Sequence, residues 1–378
     1  TLPREALAAP RAHLTRASAQ DCSMTALAGL CLACLLAATQ AARTHEELER
    51  VARDCAEGGA RTKALLVGFQ YMSGTLMGVC DDMKNMRKWA VQTAGFQQVR
   101  YVTDQCAKGK QGMKAKEQLN SGKPAKADLQ AAFKWLLQDA CPGDTLLFHY
   151  SGHGTYLDNK SPSQCNNRDE ALVLPKVGRD HPLMVGDEIF SGLVERVPAG
   201  VHLFAIVDAC HSGTIFDLPW NWNHWNYLRS NRAKPSFQLG QFDWEWAQSP
   251  EELGRSYPLQ GSVSLITGSQ AWQTSGDMGM AGGGVLTNAL ITKHEHKSGG
   301  KWITSPGVLT TALKEGWSWT KTVMEVVRHV TNDKPKAVSN TQVPNFGASH
   351  RFNMDASFTL DRLEGLEIGT PPGKCANK

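Results

Sequence analysis

The chain has 378 residues, of which 41% are hydrophobic and 20% are charged, and its formal net charge at pH 7 is +4. This composition supports a full hydrophobic core and excludes a chain that is disordered throughout, a collagen-like repeat and a coiled coil. A small net charge without a concentrated Lys/Arg patch argues against nucleic acid as a partner. The 10 cysteines are scattered, so we predict free thiols rather than a zinc ribbon or a disulfide framework, and one of these thiols as reactive.

An uncharged run at residues 24–42 follows a segment that carries arginines. Its length and flanks suit a signal peptide, a transit peptide or a single membrane anchor, and an Ala/Leu-rich helix or a pro-segment is an equal alternative. We therefore treat residues 1–61 as an N-terminal segment that precedes the core. The core is expected in the cytoplasm, with secretory or organelle targeting through residues 24–42 as the alternative, and a membrane contact only if the run is an anchor.

From residue 63 onward, apolar runs alternate with helical periodicity. This alternation predicts an α/β fold with a mostly parallel central sheet and helices on both faces. Residues 215–260 interrupt the rhythm and are interpreted as an aromatic-rich linker loop. The predicted strands are 64–67, 99–102, 145–150, 201–207, 263–267 and 342–354, and the predicted helices are 79–94, 128–140, 187–196, 285–293 and 305–330.

Two predicted strands are followed by residues that can take part in catalysis. One strand runs into His153 and the next into Cys210, each beside glycines. Because the carboxyl ends of neighbouring parallel strands meet at one edge, the imidazole can take the proton of the thiol. The backbone amides of Gly154 and Cys210 are then placed to bind an oxyanion. A lone Cys or His at a strand end is more often a packing or surface residue, but the pair together favours catalysis.

Acidic residues are predicted at the same edge. Asp82 lies in the first turn of a predicted helix, and Asp208 precedes the candidate nucleophile by two residues. Acids in a first turn often only complement the helix dipole, which is our interpretation of Asp81. Together, however, Asp82 and Asp208 would form a buried acidic pocket, which prefers the cation of an Arg or Lys side chain.

The motifs HYSGHG at residues 149–154 and DACHSG at residues 208–213 resemble those of the metacaspases, cysteine peptidases of the caspase-like (caspase-hemoglobinase) fold. The resemblance covers residues 62–355, and its order is similar to that of type I members. It divides the chain into an N-terminal segment (1–61), a large-subunit-like region (62–214), the linker (215–260), a small-subunit-like region (261–358) and a C-terminal tail (359–378).

By resemblance, Cys210 matches the nucleophile and His153 the general base, while Asp82, Ser151 and Asp208 match the pocket for a basic side chain. The implied activity is endopeptidase cleavage of peptide and protein substrates after Arg or Lys, through a thioester, by a monomer. Self-cleavage is a further expectation. Candidate basic residues for it are Arg43, Arg53, Arg61, Lys63, Arg229, Arg232, Lys234 and Arg255.

The family also binds Ca²⁺ through several acidic residues, so calcium is the expected cofactor. Asp169 and Asp217 match two of these positions, and Asp187 with Glu188 stands at a third, where Gly186 replaces one carboxylate. A missing charged ligand lowers calcium affinity. The alternative is that these acids are ordinary loop and cap residues.

A second departure from the family pattern concerns the pocket wall and leaves other functions open. Val79 occupies a position where the family commonly has Cys, and Cys80 follows one residue later. The alternatives are an inactive metacaspase-like scaffold or regulatory protein, and a caspase-like hydrolase for another side chain.

Overall fold

The computed structural model describes most of the chain from residue 55 onward, and these residues fall in one compact unit, Cys55–Lys378. No helix of the described part is long and apolar enough to cross a membrane. The run at 24–42 and most of the predicted self-cleavage sites lie outside the described residues. The described residues are 55, 59–71, 76–106, 113–120, 123–158, 168–176, 179–222, 244–246, 258–278, 283–292, 294–298, 301–332 and 342–367.

The central sheet has eight strands. They are β1 (Thr62–Gly68), β2 (Gln98–Thr103), β3 (Thr145–Ser151), β7 (His202–Asp208), β8 (Trp220–Trp222), β9 (Trp244–Trp246), β10 (Ser262–Thr267) and β13 (Asn345–Ala348). Their order across the sheet is β2-β1-β3-β7-β10-β13-β8-β9. The first five in this order run parallel to one another, and the last three pair antiparallel.

Two smaller sheets accompany the central one in the described residues. One has three strands, β4 (Gly154–Asp158), β5 (Arg168–Val173) and β6 (Leu183–Val185), and the other is the hairpin of β11 (His294–Ser298) and β12 (Lys301–Ser305). The helices are α1 (Val79–Gln92), α2 (Lys126–Leu137), α3 (Gly186–Gly192), α4 (Val285–Ile291), α5 (Val308–Glu315) and α6 (Trp319–Asn332), with short 3₁₀ turns at Ala115–Glu117 and Val194–Arg196.

The helices cover both faces of the central sheet. Apolar side chains of α1, α4, α5 and α6 pack on one face, and those of α2 and α3 pack on the other. Burying each of these side chains contributes about 1.5–3 kcal/mol relative to exposure, so the two apolar layers supply the main driving force for the fold. The prediction of a mostly parallel sheet with helices on both faces is confirmed.

The first part of the predicted linker packs into the core and forms a short strand. Ile215, Phe216 and Leu218 are buried in the core, and Trp220 begins β8, which pairs with β13. Three-residue strands such as β8 and β9 are too short to leave a periodic signal in the sequence. The interpretation of 215–260 as a loop throughout was therefore wrong for its first part and for residues 244–246.

The single helix predicted over 305–330 was also wrong, since two helices occupy this region. Gly316 ends α5 in the left-handed conformation, with φ of 64°, which glycine adopts without the steric cost that other residues carry. Residue 305 belongs to the hairpin strand β12 instead.

The prediction that the cysteines are free thiols was wrong for four of them. Cys55 is bonded to Cys141 and Cys80 to Cys106, with sequence separations of 86 and 26. Pairs so far apart have no spacing signature in a sequence of this length. Among the described cysteines, Cys210 is the free one.

Two of the predicted self-cleavage sites have side chains that are hydrogen-bonded to other parts of the fold. Arg61 donates to the carbonyl of Asp139, and its Nε lies 3.4 Å from Asp144 Oδ2. Lys63 is 6% exposed and donates to the carbonyl of Gln138. A protease needs an extended, accessible segment, so these contacts disfavour cleavage at both residues in the folded chain.

Candidate active site

The register of two central strands brings the predicted site residues together. Ser151 of β3 lies opposite Asp208 of β7, and His153 and Cys210 each follow two residues after these strand ends. All four line one open cleft. Gly154 is in contact with the backbone of Cys210, since a Cβ on Gly154 would lie only 2.0 Å from the carbonyl oxygen. Only glycine therefore permits this approach.

Cys210 and His153 are both partly buried in this cleft. Burial raises the pKa of the Cys210 thiol, an effect that the N–H of Ser275, 3.3 Å from Sγ, partly offsets. Burial lowers the pKa of His153, nearby His181 lowers it further, and Asp277 opposes the shift. Both shifts favour the uncharged forms, so the pair rests as thiol and neutral imidazole near neutral pH.

Asp82 lies at the base of the cleft and is 1% exposed. Its Oδ2 accepts a hydrogen bond from Ser151 Oγ at 2.7 Å, and both of its oxygens accept from the N–H of Gly284, at 3.0 and 2.9 Å. Gly284 directly precedes α4, so Asp82 joins the N-terminal end of α1 to that of α4.

Asp208 is bound in a similar way from the other side. Ser275 Oγ donates to its Oδ1 at 2.7 Å, and Thr287 donates to its Oδ2 from both N and Oγ1, at 2.8 and 3.0 Å. Gly284 again allows the approach, since a Cβ there would lie 2.2 Å from Asp208 Oδ2.

The two carboxylates are held without neutralisation of their charge, because the hydrogen bonds described above come from hydroxyl and amide groups. Burial raises the pKa of Asp82 well above its ordinary value, and the charge of Asp208 raises it further. Burial also raises the pKa of Asp208. A cation in the cleft would stabilise both charged forms.

Three polar residues of the site were missed by the sequence analysis: Ser275, Thr287 and Gln342. Gln342 is fully buried, donates to Ser275 Oγ at 2.9 Å and accepts from the N–H of Gly276 at 2.8 Å. Ordinary hydroxyl and amide residues carry no pattern of their own. The glycines before α4 are the one signal that could have indicated a close backbone approach at this point.

His211, the neighbour of the candidate nucleophile, is engaged elsewhere. Its Nδ1 donates to the carbonyl of Ala271 at 3.0 Å, and its ring meets the ring of Tyr156 edge to face. It is therefore not oriented as a base for the thiol.

The four predicted calcium ligands have different surroundings in the described structure. Glu188 is bound by Lys126 at 2.8 Å through both of its oxygens. Asp217 is buried, and its carboxylate contacts Gly186 closely enough that a Cβ there would lie 3.0 Å from Oδ2. Asp187 is exposed, and Asp169 lies on β5. Within the described residues, no group of three or more His, Cys, Asp or Glu side chains could hold a metal ion. This donor set does not fit calcium, which takes six to eight oxygen ligands.

Residues 62–219 match the family model described as metacaspase, peptidase C14 domain. Metacaspase-1 of Coccidioides immitis is 34% identical over 183 residues, which cover 47% of this chain and 37% of the relative. Metacaspase-2 of Trypanosoma brucei brucei is 28% identical over 316 residues, which cover 82% of this chain and 79% of the relative. The chain thus spans well under half of the fungal relative.

Among solved structures, caspase-1 from Spodoptera frugiperda aligns with 76% of this chain and 88% of its own, at a TM-score of 0.38 and 14% identity. The residues that match the family model include the strands that deliver His153 and Cys210. Residues 62–219 of this chain therefore carry a domain of the metacaspase, peptidase C14 type.

Proposed function

We propose that the chain is a cysteine endopeptidase that cleaves peptide bonds after Arg or Lys. The observation that carries the proposal is the cleft in which two buried carboxylates, Asp82 and Asp208, lie beside Cys210 and His153. A thiol with a neighbouring imidazole supplies the nucleophile and base. Buried carboxylates bound by hydroxyl and amide donors supply an acidic pocket for a guanidinium or ammonium group.

The mechanism begins from the neutral pair. His153 takes the proton of the Cys210 thiol as Sγ attacks the substrate carbonyl carbon. The backbone amides of Gly154 and Cys210 donate hydrogen bonds to the resulting oxyanion. His153 then gives its proton to the leaving nitrogen, the C–N bond breaks and a thioester remains. Water attacks the thioester with His153 as base, and the proton returns to Sγ as the acid product leaves.

The direct test uses fluorogenic peptides that differ only in having Arg, Lys or Asp before the reporter group. We expect cleavage after Arg and Lys, none after Asp, and none at all by the Cys210→Ala variant. Faster cleavage after Asp would overturn the pocket assignment. A wild-type protein that cleaves none of the peptides, and whose Cys210 is not labelled by an Arg-containing thiol-reactive peptide mimic, would favour the scaffold alternative.

Three further properties are proposed from the family resemblance: stimulation by calcium, self-processing within the linker, and a monomeric state. The monomer has one supporting observation, since β13 is paired on both sides, with β10 and with β8, and offers no free edge to a second copy. Calcium has no corresponding argument from the described donor set, and no step of the mechanism passes through it. A calcium titration of peptide hydrolysis tests it.

A further inference from the structure

Two buried tyrosines hold the main chain of His153 on both sides. Tyr71 Oη accepts a hydrogen bond from the His153 N–H at 2.9 Å, and Tyr150 Oη donates to the His153 carbonyl at 2.8 Å. The two phenol oxygens lie 3.3 Å apart, and Tyr71 Oη donates onward to the carbonyl of Val173 at 2.7 Å. The backbone of the candidate base is therefore fixed by a tyrosine pair rather than by sheet hydrogen bonds alone.

Tyr71 also contacts the side chain of His153. The two rings lie 4.6 Å apart between centroids with an interplanar angle of 33°. Tyr71 is 3% exposed, although His153 itself is partly open to the cleft. One face of the imidazole is thus covered, which restricts rotation of the ring and limits its access to water.

The backbone of Tyr71 is in the left-handed region, with φ of 58°, a conformation that non-glycine residues rarely adopt because it is sterically strained. Asp104 stabilises this conformation, because its carboxylate accepts the N–H of Gln70 at 3.0 Å and the N–H of Tyr71 at 2.8 Å. Strain that the surroundings maintain next to a reacting group is typical of functional sites.

We propose that Tyr71 is a positioning residue that orients His153 toward Cys210, and that Asp104 holds Tyr71 in the conformation this requires. The inference rests on the proposed cysteine-peptidase function. A merely structural role would predict that loss of Tyr71 changes stability and leaves the properties of the imidazole unchanged.

The Tyr71→Phe variant keeps the ring over His153 and removes the hydroxyl, which accepts the His153 N–H and donates to the carbonyl of Val173. We expect kcat to fall about tenfold to a hundredfold with KM within about twofold, because a poorly oriented base slows proton transfer and not substrate binding. The acid limb of the pH–rate profile should stay in place, since the ring still covers the imidazole.

The Tyr71→Leu variant removes the ring as well. Burial lowers the pKa of His153, so uncovering the imidazole raises that pKa and moves the acid limb to higher pH. The other groups that influence or adjoin the imidazole, namely His181, Asp277, Tyr150 and Cys210, are unchanged in this variant. Asp104→Asn should lower kcat in the same direction as Tyr71→Phe, by a smaller factor.

Tyr101→Phe is the matched control, because Tyr101 is fully buried and its Oη donates to a backbone carbonyl, that of Lys114, at 2.7 Å. It should leave kcat and the pH profile at wild-type values. If Tyr71→Phe lowers only the unfolding temperature, as Tyr101→Phe can, the positioning role is wrong.

The rate of Cys210 alkylation by iodoacetamide, measured against pH, tests the same inference without peptide hydrolysis. We expect Tyr71→Phe to slow alkylation and Tyr71→Leu to move its pH dependence upward. Wild-type alkylation profiles in both variants would overturn the proposal. A wild-type protein that alkylates in this His153-dependent way and cleaves no peptide would overturn the peptidase function and leave the positioning role intact.

Discussion

The molecule contains two acidic regions that behave differently. We call Asp82 and Asp208 the pocket acids, and Asp169, Asp187, Glu188 and Asp217 the loop acids. The pocket acids converge on one cleft and accept hydrogen bonds from hydroxyl and amide groups. The loop acids form no group of three or more that could hold a metal ion within the described residues, and Lys126 binds Glu188. Neutral hydrogen-bond donors hold a carboxylate in place and leave its negative charge uncompensated, whereas the cation of an ion pair compensates that charge. The pocket acids therefore keep the capacity to bind a cation.

The largest effect is expected from Asp82→Asn. Removing one partner of a buried ion pair costs about 2–5 kcal/mol, so kcat/KM for an Arg peptide should fall by a factor of roughly 30 to several thousand. Steady-state kinetics measure this change. A fall of less than threefold would mean that the cation does not bind at the pocket acids.

Asp144→Asn is the matched control for this substitution. Asp144 is also a buried acid, but it lies just before the start of β3, at the opposite end from the cleft, where it binds Arg61 and the N–H of Cys141. Asp144→Asn should lower stability and leave the preference for Arg unchanged.

Asp82→Asn should instead raise the unfolding temperature at pH 8. Because the pKa of Asp82 is raised in the folded protein, the free energy of unfolding falls as the pH rises toward that pKa. Asparagine does not titrate, so the variant lacks this loss of stability.

The second largest effect concerns the disulfide beside the pocket acids. Cys80 precedes Asp82 on α1 by two residues and is bonded to Cys106. Cys106→Ser should lower the free energy of unfolding by about 3 kcal/mol through loss of the closed loop, and should raise KM for an Arg peptide. Urea unfolding and steady-state kinetics give the two values.

Cys141→Ser opens the other disulfide, which lies away from the cleft. It should lower stability by a similar amount and leave KM unchanged. Equal changes in KM for the two variants would mean that the Cys80–Cys106 bond has no particular relation to the pocket.

A smaller effect is expected from pH. The pKa values of Asp82 and Asp208 are raised by burial, and a cationic side chain binds only their ionised forms. KM for an Arg peptide should therefore rise as the pH falls toward these raised values. In Asp82→Asn the rise should be shallower, because one titrating group is gone. A KM that falls as the pH is lowered would contradict the assignment of Asp82 and Asp208 as the cation-binding groups.

The smallest effect is expected at the loop acids. Lys126 and Glu188 form a partly exposed pair, which contributes no more than about 1 kcal/mol to stability. Glu188→Gln should change the unfolding temperature little and leave any calcium response of the enzyme unaltered. Loss of calcium stimulation in this variant would show that Glu188 leaves Lys126 to bind the ion.

The contrast between the two acidic regions also explains what the sequence could predict. His153 and Cys210 follow buried parallel strands, and the ends of such strands must meet at one sheet edge. Asp82 and Asp208 were predictable for the same reason. The loop acids lie on elements outside the parallel sheet, and their spacing in the chain contains no information about their separation in space.

Other parts of the site could not be predicted because their signals are generic. Ser275 and Thr287 bind Asp208 with ordinary hydroxyl and amide groups. Tyr71 meets His153 only because its backbone takes a rare left-handed conformation, which no residue preference for tyrosine would indicate. The disulfides depend on pairings across distant segments, and Trp220 joins the sheet through a strand of three residues.

The central claim is that the pocket acids select a positively charged side chain for the Cys210–His153 pair. The most direct measurement compares kcat/KM for two peptides that are identical except for Arg or citrulline, its uncharged isostere, at the cleaved position. The wild-type enzyme should prefer Arg by about a hundredfold or more, and Asp82→Asn should lower this ratio by about tenfold or more, leaving the preference that Asp208 alone supports. A wild-type enzyme that cleaves both peptides equally well would contradict the claim.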